Sequence, residues 1–117
     1  MPKISAKAKR LRIYIGESDR HNHTVMFDAI VKKAKELDLA GASVFRGIEG
    51  FGAHSRIHTA RIVDLSTDLP ILIEIIDSEE YITKLLPFLD EVMAEAKGMI
   101  TIDDVEVIKY GEKPPVR

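Results

Sequence analysis

The sequence predicts an α+β fold in which one antiparallel β-sheet carries two helices on one of its faces. Apolar residues recur at helical spacing over about 24–37 and 77–97, and these two stretches predict the helices. Alternating or β-branched runs predict strands at residues 11–16, 43–51, 71–76, 99–102 and 105–110. The resulting order, β-α-β-β-α-β with an additional C-terminal strand, is the ferredoxin-like pattern.

The first half of the chain is predicted from spacing and from two glycines. Over residues 11–15 apolar side chains alternate with others, as expected for a strand with one buried face. From about Thr24 to Leu37 apolar residues recur at steps of three and four, and Gly41 is well placed to end that helix. Gly47, inside the next strand, indicates a bulge or a close approach of two backbones.

The second half contains a long connection and a strongly apolar strand. Residues 52–69 show no clear period, and a connection of that length in a small domain is usually functional or mobile. Glu74 is a lone acid within the apolar run and needs a partner if it is buried. That partner could be Lys109, a neighbouring subunit or a ligand. The adjacent pair Asp103-Asp104 predicts a turn between the last two strands.

Length and composition limit the class of protein. The 117 residues fit one domain, 1–117, with a basic tail at 1–9 and a loose, proline-rich tail at 111–117. The net charge of −2 gives no general attraction to nucleic acid. Cysteine is absent, which excludes disulfides and thiol catalysis. No apolar run has the length of a membrane span or a signal peptide, so we expect a cytoplasmic protein.

The strands are too apolar for a sheet with only one covered face. Ile71, Ile73 and Ile75 point to one side of their strand, while Leu72 and Ile76 point to the other. Helices can cover only one of these sides. We therefore expect other subunits to cover the second side in a homo-oligomer.

A glycine segment, residues 46–52, is the best candidate for a binding site in the residues themselves. Gly47, Gly50 and Gly52 would let bare backbone N–H groups converge on an anion. Cationic residues surround them and could complete a phosphate-sized site: Arg46, Arg56, His58 and Arg61. The spacing is neither a P-loop nor a dinucleotide fingerprint, so a bulge followed by a flexible loop remains the alternative.

No catalytic arrangement stands out. His21 and His23 are two residues apart, and His54 and His58 are four apart, but no acid completes either pair at a familiar metal-binding spacing. The serines lie in no recognisable nucleophile motif. We expect no metal site and no enzymatic activity.

Three stretches resemble the PII signalling family. Residues 49–54 (EGFGAH), followed by His-Thr at 58–59, resemble the Lys-Gly-Phe-Gly-Arg-Gln stretch at the base of the T-loop of PII proteins. Residues 72–76 (LIEII) resemble the family's Ile-Glu-Ile strand, and residues 98–112 (GMITIDDVEVIKYGE) resemble its C-terminal end. The motif RGIxGFG within 45–52, together with 66–70 (STDLP), is similar to a less characterised branch of PII-like proteins.

The resemblance implies a homotrimer that binds adenine nucleotides between its subunits. The residues that it places at the nucleotide are Ser43, Gly50, Phe51, Gly52, Glu74, Ile76, Gly98, Met99 and Lys109. The glycine segment itself adds Arg46 and Gly47, with Arg56, His58 and Arg61 as loop candidates. Residues 94–97 replace the family's glycine-rich phosphate loop, which favours AMP or ADP over ATP. Ala53-His54 replaces the family's Arg-Gln pair, which argues against magnesium-linked oxoglutarate binding.

The function that the resemblance implies is regulatory. A nucleotide would be sensed in the cleft and reported by the loop at about 52–69 to an unknown target protein, with a membrane transporter or channel as one possibility. The alternative is a CutA-like metal-binding trimer or a small hydrolase that uses His54 and His58.

Overall fold

The computed structural model describes residues 7–51, 58–59, 68–94 and 96–111, with only the backbone of 58–59. The strands are β1 (Lys7–Gly16), β2 (Arg20–His21), β3 (Thr24–Val25), β4 (Ser43–Arg46), β5 (Glu49–Gly50), β6 (His58–Thr59), β7 (Pro70–Asp77) and β8 (Met99–Glu106). The helices are α1 (Met26–Glu36) and α2 (Glu79–Met93). Within the described ranges, no helix is both long and apolar enough to cross a membrane.

Four strands form one antiparallel sheet in the order β4-β7-β1-β8. β1 pairs with β7 on one side and with β8 on the other, so that Leu11 lies between Ile75 and Ile102. β4 pairs with β7 alone among the described strands of this sheet. β4 and β8 are therefore the two edges of the sheet, called here the β4 edge and the β8 edge. This topology confirms the predicted ferredoxin-like fold.

The core lies between the sheet and the two helices, on what we call the helix face. Alternation in the two central strands brings six buried aliphatic side chains to this face: Leu11, Ile13, Ile15, Ile71, Ile73 and Ile75. The helices add the buried residues Met26, Ile30, Ala34, Ile82, Leu85, Leu89 and Val92. Because each large aliphatic side chain contributes roughly 1.5–3 kcal/mol when buried, this layer fixes the register of the sheet.

The opposite face of the sheet, called here the open face, carries the alternate residues of the same strands. The strand register aligns one apolar row across it: Phe45, Leu72, Tyr14 and Met99. The next row is polar and contains Ser43, Glu74, Arg12 and Thr101. The side chains at the two ends of the apolar row are half-exposed, Phe45 at 44% and Met99 at 54%. An apolar row of this kind fits the expectation that the face needs further cover.

β8 differs from the prediction in one respect. The strand continues through Asp103-Asp104, so the turn predicted there is wrong. Arg10 Nη2 donates to Asp103 Oδ2 at 2.6 Å, and Lys9 forms an ion pair with Asp104. Cations on the neighbouring strand stabilise these acids in extended backbone. Of the additional strand predicted at 105–110, residues 105 and 106 are the last two residues of β8. Residues 107–111 contain no strand.

The ends of three elements also differ from the predicted bounds. β1 begins at Lys7, so residues 7–9 of the predicted basic tail belong to the sheet. α1 ends at Glu36, and Asp38, with φ of 62°, adopts the left-handed conformation that was assigned to Gly41. Ser78 caps α2, because its side chain accepts a hydrogen bond from the Tyr81 N–H at 3.4 Å.

A short hairpin, β2–β3, connects β1 to α1 and contains an unusual turn. Its two turn residues, Asn22 and His23, have φ of 50° and 67°. Two consecutive left-handed residues between paired strands match a type I′ turn, in which glycine is preferred at the second position. The ring of His21 contacts Phe88 of α2 edge to face, with the ring centroids 6.0 Å apart. The hairpin is therefore packed against the helices.

Replacing His23 with glycine should stabilise the protein by about 0.5–1 kcal/mol, because glycine tolerates positive φ without steric strain. Thermal unfolding would show this as a higher melting temperature. Thr24→Gly, one residue later in β3, is the matched control and should lower the melting temperature, since strand glycines cost entropy. An unchanged or lower melting temperature for His23→Gly would contradict the turn geometry.

Candidate functional site

The predicted site residues near β4 gather where that strand ends. Ser43 begins β4 and lies opposite Glu74, while Arg46 ends β4. Gly50 lies in β5, and Phe51 follows it with 70% of its surface exposed. The remaining predicted residues of this region, Gly52, Arg56 and Arg61, lie outside the described residues, as does the side chain of His58.

The glycine segment owes its glycines to close packing on Pro70. A Cβ atom on Gly47 would lie 2.6 Å from Pro70 Cγ, and one on Gly50 would lie 3.1 Å from the same atom. The Gly47 N–H donates to the carbonyl of Pro70 at 2.7 Å. None of the described glycines has a positive φ. The close-approach interpretation of Gly47 is thus correct, whereas the anion-binding role predicted for its N–H conflicts with the hydrogen bond to Pro70.

β5 and β6 form a short antiparallel ribbon beyond β4. Glu49 lies opposite Thr59, and Gly50 lies opposite His58. The strand predicted over 43–51 is therefore two strands, divided at Gly47-Ile48. Most of the loop predicted over 52–69 lies outside the described residues.

Glu74 has a partner within its own chain. Arg12 Nε donates to Glu74 Oε2 at 3.0 Å across the β1–β7 pair. The need for a partner is therefore met by Arg12, which was not among the three candidates named from the sequence. Below this pair, Arg10 and Asp103 form a second ion pair, with Ile76 as the β7 neighbour of Arg10. The hydrogen bond from Arg10 lowers the pKa of the Asp103 carboxyl below its usual range.

Gly98 and Met99 lie at the β8 edge, where β8 begins beside Tyr14. A Cβ atom on Gly98 would lie 2.3 Å from the backbone oxygen of Tyr14 and 2.7 Å from Met93 Cε. The close contact between β8 and β1 therefore requires glycine here. Met99 is 54% exposed on the open face. In one chain these residues are separated from β4 by two intervening strands, or about 14 Å at the usual strand spacing.

Lys109 lies exposed in a segment that crosses the sheet end at which β7 and β8 finish. The neighbouring Tyr110 hydroxyl donates to the carbonyl of Ala40 at 2.7 Å, just before β4. The Ala40 N–H in turn donates to Asp77 Oδ2 at 2.8 Å, and Asp77 is completely buried. The segment 107–110 thus runs from the β8 edge to the beginning of β4.

Sequence reasoning missed several residues that organise this region. Arg12 was treated only as an alternating strand residue, whereas the register of β1 and β7 pairs it with Glu74. Glu17, whose Oε2 lies 3.2 Å from Arg46 Nε, was not singled out from the sequence. Tyr110 was read only as part of a family motif and as the end of a predicted strand. The register and the chain crossing that bring these residues to their partners are long-range features.

The described residues contain no group of three or more histidines and acids that could hold a metal ion. The sequence alternative depends on His54 and His58, whose side chains are not among those described. An open cleft of about 460 Å³ lies elsewhere, at the end of the sheet where β1 begins. Its walls are Lys7, Ala8, Lys9, Glu79, Asp104, Val105 and Glu106, none of which was predicted to bind nucleotide.

The comparisons with known proteins identify a family and agree with the fold. The profile of the DUF190 family, described as "Uncharacterized ACR", matches residues 8–107. The chain is 39% identical over 102 residues to a UPF0166 protein of Aquifex aeolicus (strain VF5), which covers 87% of this chain and 94% of that protein. It is 40% identical over 103 residues to a UPF0166 protein of Methanocaldococcus jannaschii, covering 88% and 94%.

Among solved structures, the chain is similar to CPII from Thiomonas intermedia K12, a nitrogen regulatory PII-like protein bound to ADP, AMP and bicarbonate. The TM-score is 0.65 at 18% sequence identity, and the match covers 88% of this chain and 90% of that chain. At this identity the similarity establishes the fold. The PII-like fold that the sequence resemblance implied is thereby confirmed.

Proposed function

Because this chain belongs to the DUF190 family and has the PII-like fold, we propose that it is a regulatory protein that binds AMP or ADP between subunits. The nucleotide-bound structure of CPII supports this class of ligand. Residues 94–97 offer fewer phosphate donors than the glycine-rich loop of the PII family. This difference supports a preference for nucleotides with one or two phosphates. In this proposal the protein senses the nucleotide and performs no covalent chemistry.

The observation that carries the proposal is that predicted site residues lie at both edges of one sheet. Ser43, Arg46 and Phe51 lie at the β4 edge, while Gly98 and Met99 lie at the β8 edge. No single chain can bring both groups to one small ligand, because two strands separate them. When the β8 edge of one chain faces the β4 edge of the next, the two halves form one site.

The exposed apolar residues support the same assembly. Ile48 and Phe51 are 79% and 70% exposed beyond the β4 edge, and Met99 and Ile102 are exposed at the β8 edge. Two different surfaces that pack on each other form a heterologous interface, which generates a closed ring when the rotation permits. A ring of three, as in the PII family that the sequence resembles, would also cover the apolar row of the open face.

The signal would pass from the cleft to a partner protein through the connection at about 52–69. Near its start, this connection pairs with the glycine segment through the β5–β6 ribbon. At its other end, Asp68 and Leu69 accept hydrogen bonds from the turn that follows β1. A nucleotide beside Arg46 would therefore act on the base of the connection. The target protein, for example a transporter or channel, would recognise the ordered connection. The proposal includes a cytoplasmic location for the protein.

Titration calorimetry with AMP and ADP tests the proposal. We expect dissociation constants in the micromolar range and an affinity about tenfold lower for Lys109→Ala, since a charged donor to phosphate is lost. Lys35→Ala, which removes an exposed lysine from α1, is the matched control and should bind normally. Native mass spectrometry should show a trimer.

Two results would contradict this function. One is a strictly monomeric protein, which would leave the two half-sites apart. The other is an absence of nucleotide binding combined with tight zinc or copper binding that His58→Ala abolishes, which would favour the metal-binding alternative.

A further inference from the structure

Arg46, the cation that begins the glycine segment, is held by a single ion pair among the described residues. Its Nε lies 3.2 Å from Glu17 Oε2, and 61% of its side chain is exposed. Among the described residues, this is the polar contact that the guanidinium makes, and its two Nη atoms have no acceptor there. An exposed ion pair with a single contact contributes little to stability, because water competes for both charges.

Glu17, in contrast, is fixed by the turn that carries it. The Glu17 N–H donates to the carbonyl of Leu69 at 2.9 Å, and the next N–H, of Ser18, donates to Asp68 Oδ1 at 2.8 Å. The Gly16 N–H donates to Asp19 Oδ2 at 2.8 Å. Asp19 and Asp68 are thus engaged by backbone groups, whereas the Glu17 carboxylate is engaged by Arg46. The guanidinium can leave while the backbone that carries Glu17 stays in place.

The backbone offers an anion little at this point. The Gly47 N–H is donated to Pro70, and Gly50 is paired with His58 in the ribbon. Among the described residues, Arg46 is the cation that an anion at the end of β4 would meet. The planar fork of arginine can donate two parallel hydrogen bonds to a phosphate, and its Nη edge faces no acceptor among the described groups.

We propose that Glu17 competes with a phosphate-bearing ligand for Arg46 and so sets the affinity of this end of the site for anions. The inference rests on the proposed function, because it concerns the phosphate end of that same site. Glu17 is a positioning residue that holds Arg46 in the empty state and releases it to the ligand. An uncharged ligand of the same site gains nothing from the exchange, since it offers Arg46 no anion.

Titration calorimetry of Glu17→Gln with ADP and with adenosine tests this competition. The variant should bind ADP about two- to fivefold more tightly, the range that release of an exposed ion pair supplies, and adenosine with unchanged affinity. Glu36→Gln is the matched control, because it removes the same charge from another exposed ion pair, with Lys33 on α1. Equal changes for ADP and adenosine, or none for ADP, would overturn the competition.

Inorganic pyrophosphate separates this inference from the proposed function. It should raise the melting temperature of Glu17→Gln more than that of the unmodified protein, and it should leave Arg46→Gln unaffected. If this pattern is seen while AMP and ADP fail to bind, the proposed function is wrong and the competition stands. If AMP and ADP bind but Glu17→Gln behaves as the unmodified protein with ADP and pyrophosphate, the competition is wrong and the proposed function stands.

Discussion

Replacing Gly98 with alanine should lower the free energy of unfolding by about 2–3 kcal/mol, the upper part of the range for an overpacked site. The new Cβ would lie 2.3 Å from the Tyr14 carbonyl oxygen and 3.0 Å from Ile15 Cγ2. Backbone cannot move aside as a flexible side chain can, so the start of β8 has to shift away from β1. Met99, which pairs with Tyr14, would shift with it.

Urea unfolding followed by circular dichroism measures this loss. Gly41→Ala is the matched control, because a Cβ at Gly41 has no heavy atom within 4 Å among its non-neighbouring residues. We expect the control to be as stable as the unmodified protein. Equal unfolding midpoints for Gly98→Ala and Gly41→Ala would show that β8 does not approach β1 this closely.

Replacing Asp77 with alanine should cost about 3 kcal/mol, because two N–H groups at a buried site would lose their acceptor. Asp77 Oδ2 accepts from the Ala40 N–H at 2.8 Å, and Oδ1 accepts from the Ser78 N–H at 2.6 Å. The side chain is completely buried, so water cannot easily replace it. The change would free the connection between α1 and β4 and the start of α2 together.

The Asp77 prediction is checked by the same unfolding measurement on three variants. Asp77→Asn should lose less stability than Asp77→Ala, since its amide oxygen can still accept one of the two hydrogen bonds. Asp90→Ala removes an exposed acid from α2 and should change stability little. A loss for Asp77→Ala no larger than that for Asp90→Ala would refute the role given to the buried carboxylate.

Local patterns were sufficient to predict the fold. The alternation at Leu11, Ile13 and Ile15 and the apolar run of β7 identified the two central strands, because burial on one face imposes a period of two. The apolar stripe of α2 is too long for a strand, so its helical spacing identified a helix. The order of these elements then restricts the topology to very few arrangements.

The details of the candidate site were harder to predict, since they depend on partners distant in sequence. Asp103-Asp104 has the composition of a turn, and only Arg10 and Lys9 on the next strand make it a stable part of β8. The glycine segment has the composition of an anion loop, but its first glycine, Gly47, is required by close packing on Pro70. Neither partner can be identified before the strand register is known.

The Tyr110–Ala40 hydrogen bond gives each subunit a short mechanical link between its two edges. From the end of β8, residues 107–110 reach the beginning of β4 without passing through the strand pairings of the sheet. In the proposed ring, each subunit contributes its two edges to two different clefts. Occupation of one cleft would then change the other cleft of the same subunit through residues 107–110. This segment provides a route for cooperativity between binding sites that are not in contact.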